Sequence, residues 1–317
     1  VAAAIAAGGP GAVFWMWVWA IIGMTIKHAE VALGCYYRSR NSEGQLYGGP
    51  TFYMEKGIVK EQGHKWGWIL IGGFAIGMLL QYLGGSQAYN ISESLYETFG
   101  LNQIVFVLIY SAFLLYVIWR GVPSIAKFAS RLVPFMCVLY LIGGIIMIIV
   151  NIRAVPGMFA SIFVCAFSGK AVAGGTVGYA VKTAIAKGIS RSMNSNEAGQ
   201  GTSPMIHANA DTSHPVRQAM WGAFEVFMDT IVVCSVTALA ILSSGALATG
   251  KTSMGLTIAA FESVFGPAGS VFIAIICCLF GITTTAGWFL FYTTILHHVL
   301  RNNEALANKI EQILKIC

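Results

Sequence analysis

The chain has 317 residues, 56% of them hydrophobic and 10% charged, with a formal net charge of +6 and a mean hydropathy of +0.71. A soluble domain carries roughly a quarter charged residues, so this chain holds too few to cover a water-facing surface. Its apolar residues also come in blocks of helical length, which gives an all-α polytopic membrane protein and assigns the positive charge to loops beside a bilayer rather than to nucleic acid.

Residues 1–7, VAAAIAA, read as the end of a helix, and the closing IEQILKIC stops inside an amphipathic run, so the chain is expected to be truncated at both ends. Apolar runs long enough to cross ~30 Å of hydrocarbon follow at 11–36, 67–90, 103–120, 133–152, 218–244 and 268–296, with a less uniform run at 177–200. With the leading tail, these make about eight spans. Between the first two full spans, LYGGPTFYMEKGI (46–58) predicts a turn into a short helix at the cytoplasmic interface, where amphipathic rings are favoured. The segment 252–266 is too short to span and carries Met254, Ile258, Phe261 and Phe265 at helical spacing, which predicts a surface helix capping the outer side. With the loop after residue 36 inside, Arg38, Arg40, Lys56, Lys60, Lys65, Arg120, Lys127, Arg131, Arg217, Arg301, Lys309 and Lys315 are cytoplasmic. Arg153, Lys170, Lys182, Lys187, Arg191 and Lys251 then fall on the opposite side or at helix ends, so the basic residues favour this orientation. The seven cysteines lack C-x-x-C metal spacing and read as buried small hydrophobes.

The stretch RSMNSNEAGQGTSP (191–204) does not fit its apolar surroundings. A continuous helix through it would carry two glycines at ~1 kcal/mol each and a proline at ~3 kcal/mol. Non-helical backbone at membrane depth survives only where it is buried in protein or lines a cavity. One reading is therefore an unwound segment, 194–201, between half-helices at 177–193 and 202–210, whose free N–H and C=O groups attract ligands. The other is a polar cytoplasmic loop, and composition alone leaves both open.

The blocks IAAGGPGAVFWMWVWAIIGMTIKHAE, YGGPTFYMEKG, RSMNSNEAGQGTSPMIHANADTSHPV, FMDTIVVCSVTAL and TTTAGW, in that order, resemble the alanine or glycine:cation symporters, also called sodium:alanine symporters. The resemblance implies a leucine-transporter-like inverted-repeat fold, with a first repeat over 1–152, its first helix truncated, and a partial second repeat over 153–317. That family's Gly-Thr-Gly-Asn motif is expected just upstream of Val1. The implied function is sodium-coupled symport of a small neutral amino acid, alanine or glycine, by alternating access. No enzymatic step and no cofactor beyond the co-transported sodium ion is implied. The setting is a multi-pass protein of a prokaryotic plasma membrane, whose partners are the amino acid, sodium and the bilayer, with no nucleic acid.

On the same resemblance, Asn194, Ser195, Asn196, Glu197 and Gly199 form the substrate region. An intramembrane carboxylate such as Glu197 is costly and functional by default. Gln87 offers an amide that suits both ends of a zwitterion or simply ties helices together, and Trp288 is a candidate pocket wall. Thr283 and Thr284 sit where the family has a sodium site, their hydroxyls suiting a hard cation, although a membrane threonine more often bonds back to its own helix. Asp229, one turn after Glu225, is a gating or coupling candidate that is expected to pair with Lys27 or Arg191. Lys27 and Glu30 are expected to form an i, i+3 pair. Proton-coupled symport is the alternative function. A channel would want a continuous polar stripe, and an intramembrane hydrolase built on Glu197 and His207 lacks any H-E-x-x-H spacing.

Overall fold

The computed structural model describes the backbone of residues 1–40, 44, 46–83, 86–100, 102–119, 122–168 and 177–316, and their side chains except at 82, 83, 86–90, 97, 122–127, 177–180 and 316. Arg120, Lys170 and the side chains of Gln87 and Lys127 thus lie outside the described residues. Helix α1 (Ala2–Gly8) ends at Gly9, and Pro10, which has no N–H to leave unpaired, starts α2 (Gly11–Tyr36). A two-residue antiparallel pair, β1 (Ser39–Arg40) with β2 (Leu46–Tyr47), sets Ser39 opposite Tyr47 and was not expected from the spacing of residues there. The interfacial helix begins, as a Gly-Gly-Pro turn requires, with Pro50 in the first turn of α3 (Pro50–Tyr53), and runs on in wider, π-type turns over Met54–Glu61.

Then follow α4 (Gly67–Leu83), α5 (Ser86–Phe99), α6 (Gln103–Trp119), α7 (Val122–Val150), α8 (Val155–Ser168), α9 (Val177–Asn196) and α10 (Ser203–His207). The helix α11 (Pro215–Val226) passes through a π-type segment, Phe227–Cys234, into α12 (Ser235–Ser243). Last come α13 (Ser253–Phe265), α14 (Pro267–Val299) and α15 (Glu304–Ile316). Among the described residues, Gly11–Tyr36, Phe128–Val150, Pro215–Ser243 and Pro267–Val299 are long and apolar enough to cross a membrane. Shorter apolar helices accompany them, including Ile152–Ser168, a run below spanning length that the sequence reading passed over. The chain is an all-α polytopic membrane protein. Side chains such as Ile69 and Ile104, 76% and 71% exposed, are tolerable only against lipid.

The centre of the bundle is α2, whose most extensive partners are α9 and α11. Helices α2 and α9 run parallel, with Gly188 against the carbonyl of Ala12, Ser192 donating to the Met16 carbonyl (3.1 Å), Ala198 beside Gly23 and Pro204 beside Gly34. A side chain at Gly188 would collide with α2 backbone, so glycine is what permits this approach. The short helix α13 packs one face into the bundle and leaves Glu262 and Ser263 exposed. Leu256 and Phe261 are fully buried with Met147, Ile162 and Ile241 in the largest apolar cluster, and Phe261 stacks on Tyr140 and Phe272. Spacing predicted one apolar face, and the structure covers that face with α7 and α14.

Four of the cations expected on one side, Arg38, Lys56, Lys60 and Arg301, lie close together. Arg38 donates to the carbonyls of Ala210 and Thr212, and Lys56 donates to the carbonyl of Arg38. Beside them Glu55, 2% exposed, accepts two bonds from Arg301 (2.5 and 2.9 Å), meets His298 at 2.8 Å, and pairs with Lys60 at 2.8 Å. Burial pushes the Glu55 carboxyl up, but the hydrogen bonds from Arg301 and Lys60 outweigh it and hold the pKa at about 2.

Candidate functional site

The helix break is real, and it is partly buried. Helix α9 runs three residues further than spacing predicted, to Asn196, because the Asn196 amide donates to Ser192 and Thr230 while its oxygen accepts from Ala198 N–H. Glu197 then adopts φ +57°, a left-handed conformation uncommon for a residue with a side chain, and Gly199 and Gly201 follow at +86° and +77°. The break is buried at Ala198, Gly201 and Thr202, and Gly199 is exposed.

Helix α2 supplies the partners for the groups freed at this break. Lys27 Nζ donates to the Asn196 carbonyl (2.8 Å), putting a cation at the C-terminus of α9 where the helix dipole favours one. The Glu30 carboxylate accepts the N–H groups of Gly199 (2.9 Å) and Gly201 (3.1 Å). Lys27 and Glu30 therefore do not pair with each other; each takes the end of the break that matches its charge. Lys27 instead meets Glu225 at 3.3 Å, and Glu225 also meets His207 Nε2 at 3.1 Å, while the Gln218 amide contacts the other nitrogen of that ring at 2.8 Å. The Glu197 carboxylate accepts from the Thr202 hydroxyl at 2.5 Å.

Above the break lies a cavity of about 300 Å³, walled by the start of α1 and by α5, α7, α9, the Phe227–Cys234 segment, α13 and α14. Of the residues singled out from sequence, Arg191, Ser195, Asp229 and Thr284 reach it. The Asp229 carboxylate accepts from Ser195 (3.0 Å) and from Thr230 (2.9 Å) and makes no ion pair among the described residues, contrary to the expected partnership with Lys27 or Arg191. The physical reason is the π-type segment, which re-aims side chains relative to α-helix and separates Asp229 from the face on which Glu225 meets Lys27.

Thr284 and Thr283 both donate to carbonyls of their own helix, at 2.7 Å to Phe280 and at 3.1 and 3.0 Å to Leu279 and Phe280. Their oxygen lone pairs stay free, and of the two only Thr284 is on the wall. Trp288 packs away from the cavity against Phe74, Met78, Met205 and Phe291. Asn194 is exposed, whereas Asn196, Glu197 and Gly199 belong to the break and not to the wall. Gln87 is on α5, whose Ile91 lines the cavity. Sequence reasoning missed Tyr140 and Thr237, which share a 2.6 Å hydrogen bond on the wall, as well as Thr257 on α13. The spacing of Asp229, Val233 and Thr237, four residues apart, was the available signal for one inward stripe.

The sequence model of the sodium:alanine symporter family matches residues 1–317, the whole chain. This chain belongs to the sodium:alanine symporter family. Among its relatives, the sodium/alanine symporter AgcS of Methanococcus maripaludis is 37% identical over 295 residues, covering 91% of this chain and 63% of that protein. A putative sodium/proton-dependent alanine carrier protein, YrbD, of Bacillus subtilis is 36% identical over 319 residues, covering 96% and 64%. A probable sodium/glutamine symporter, GlnT, also of Bacillus subtilis, is 39% identical over 291 residues, covering 90% and 58%. The chain thus spans about three fifths of the length of the curated relatives it matches. The sodium:alanine symporters are transporters, not enzymes, and their name supplies sodium as the co-transported cation.

Proposed function

We propose that the protein carrying this chain imports a small neutral amino acid, alanine or glycine, together with sodium across a prokaryotic plasma membrane. On this reading the fold is leucine-transporter-like, with inverted repeats meeting near residues 152 and 153, and alternating access rocks one against the other. The observation that carries it is the cavity. Its volume, about 300 Å³, is at the small end of the ~300–1,000 Å³ typical of small-molecule sites. A carboxylate (Asp229), a guanidinium (Arg191) and the hydroxyls of Ser195, Thr237 and Thr284 all reach that one space, a set that can meet both ends of a zwitterion. Asp229 and Thr284 also offer hard oxygen donors of the kind sodium takes. The family membership and the names of the relatives support sodium and alanine.

Asp229 favours a second reading as well. A carboxylate held by hydroxyls, with no cation paired to it among the described residues, is equally suited to carry a proton, and the relative YrbD is named for sodium or proton dependence. Uptake of labelled alanine, glycine and glutamine into vesicles holding the full-length protein, under an imposed sodium gradient, a proton gradient or neither, decides between the two. Saturable uptake that needs sodium supports the first reading and uptake that needs only the proton gradient supports the second. Absence of both, with no amino acid bound, refutes the proposal.

A further inference from the structure

Lys27 does not line the cavity, yet both of its contacts are with elements that form the wall. Its Nζ donates to the carbonyl of Asn196, the residue next to Ser195, and it pairs with Glu225, one turn before Asp229 on the helix running from Pro215. Ser195 and Asp229 are themselves bonded at 3.0 Å on the wall. The end of α9 and the helix beyond Pro215 are therefore tied at two neighbouring points, directly by Ser195 to Asp229 and from behind by Lys27. The Asn196 amide adds a third tie to Thr230, whose hydroxyl is the other donor to Asp229. Lys27 is 5% exposed, so without its cation the Asn196 carbonyl has no ready access to water as a replacement donor.

We infer that Lys27, braced by Glu225, is a positioning residue that holds Ser195 on Asp229 and so sets the affinity of the cavity without touching what binds there. This rests on the reading of the cavity as the transport site. The competing account is that Lys27 and Glu225 merely balance each other's charge. The two accounts differ for Lys27→Met combined with Glu225→Gln, which removes the charge imbalance but leaves the Asn196 carbonyl without its donor.

The test uses the full-length protein in proteoliposomes. Lys27→Met is expected to raise the KM for the amino acid about tenfold, the ratio that loss of one charge-assisted hydrogen bond produces, with Vmax changed by no more than about twofold. Glu225→Gln, which can still accept from Lys27, stays within about threefold of wild type. The double variant keeps the raised KM of Lys27→Met; recovery of the wild-type KM in the double variant overturns the inference in favour of charge balance. Should Lys27→Met alone fail to fold, the double variant, which buries no unpaired charge, carries the same comparison. A second readout needs no substrate: Cys234 lies 3.3 Å from the Ser195 hydroxyl on the cavity wall, and in a full-length protein with Cys234 as its sole cysteine, its labelling rate by a small methanethiosulfonate should change severalfold in Lys27→Met. An unchanged rate together with an unchanged KM refutes the positioning role. A changed rate in a protein that transports no amino acid refutes the proposed function and leaves the brace standing.

Discussion

Replacing Glu55 by Gln tests whether this buried carboxylate holds the end of the bundle that carries Lys60, His298 and Arg301 together. The gap between an ordinary glutamate at 4.5 and the pKa of about 2 for Glu55 corresponds to ~3 kcal/mol in favour of the folded state. Arg301 and Lys60 are 45% and 62% exposed, so water screens part of that interaction and ~2 kcal/mol is the better figure. The sign follows from the depressed folded value. The stabilisation is fully present above pH ~4.5 and is lost as pH falls through about 2. Thermal unfolding of the full-length protein in detergent should therefore show Glu55→Gln melting about 4 °C below wild type at pH 7. The difference should hold down to pH ~5, narrow progressively below pH ~4.5 and close only near pH 2, where the folded wild-type carboxylate takes up its proton. Equal melting temperatures at pH 7, or a gap that widens on acidification, would refute the reasoning.

Asp229→Asn should lower amino-acid uptake at least tenfold while the protein still purifies as a monodisperse species, since the amide fills the same space without the charge. Thr284→Ala should raise the sodium concentration for half-maximal uptake about tenfold, as loss of one oxygen ligand would, whereas Thr283→Ala, off the wall, should do so much less. Glu30→Gln leaves the Gly199 and Gly201 N–H groups with a neutral acceptor and should cost ~1 kcal/mol in thermal stability. Gly201→Ala should cost more than that, because φ is +77° and a Cβ there meets Pro50 and Phe74; a left-handed residue with a side chain alone costs ~1–2 kcal/mol. Wild-type expression and melting of Gly201→Ala would show that the break relaxes freely.

Sequence alone settled the all-helical membrane class and the break in one helix. Apolar runs of spanning length had to become helices because lipid satisfies no backbone hydrogen bond, and Gly199, Gly201 and Pro204 had to interrupt one of them. It also singled out Arg191, Ser195, Asp229 and Thr284, which the structure brings to one cavity wall, because polar groups in an apolar run need a reason to be there. Only the tertiary structure decided how these groups are shared out. Lys27 and Glu30 look like partners at i, i+3 until α9 ends beside them and presents a carbonyl to one and two N–H groups to the other. Trp288, four residues beyond Thr284, joins the cluster of Met78, Met205 and Phe291 instead of the cavity wall, and α13 buries Phe261 against Tyr140 of α7 and Phe272 of α14. Periodicity says which residues share a face, but what that face meets is fixed by helix packing. Here the packing rests on approaches such as Gly188 to Ala12, between positions far apart in the chain, which no local pattern records.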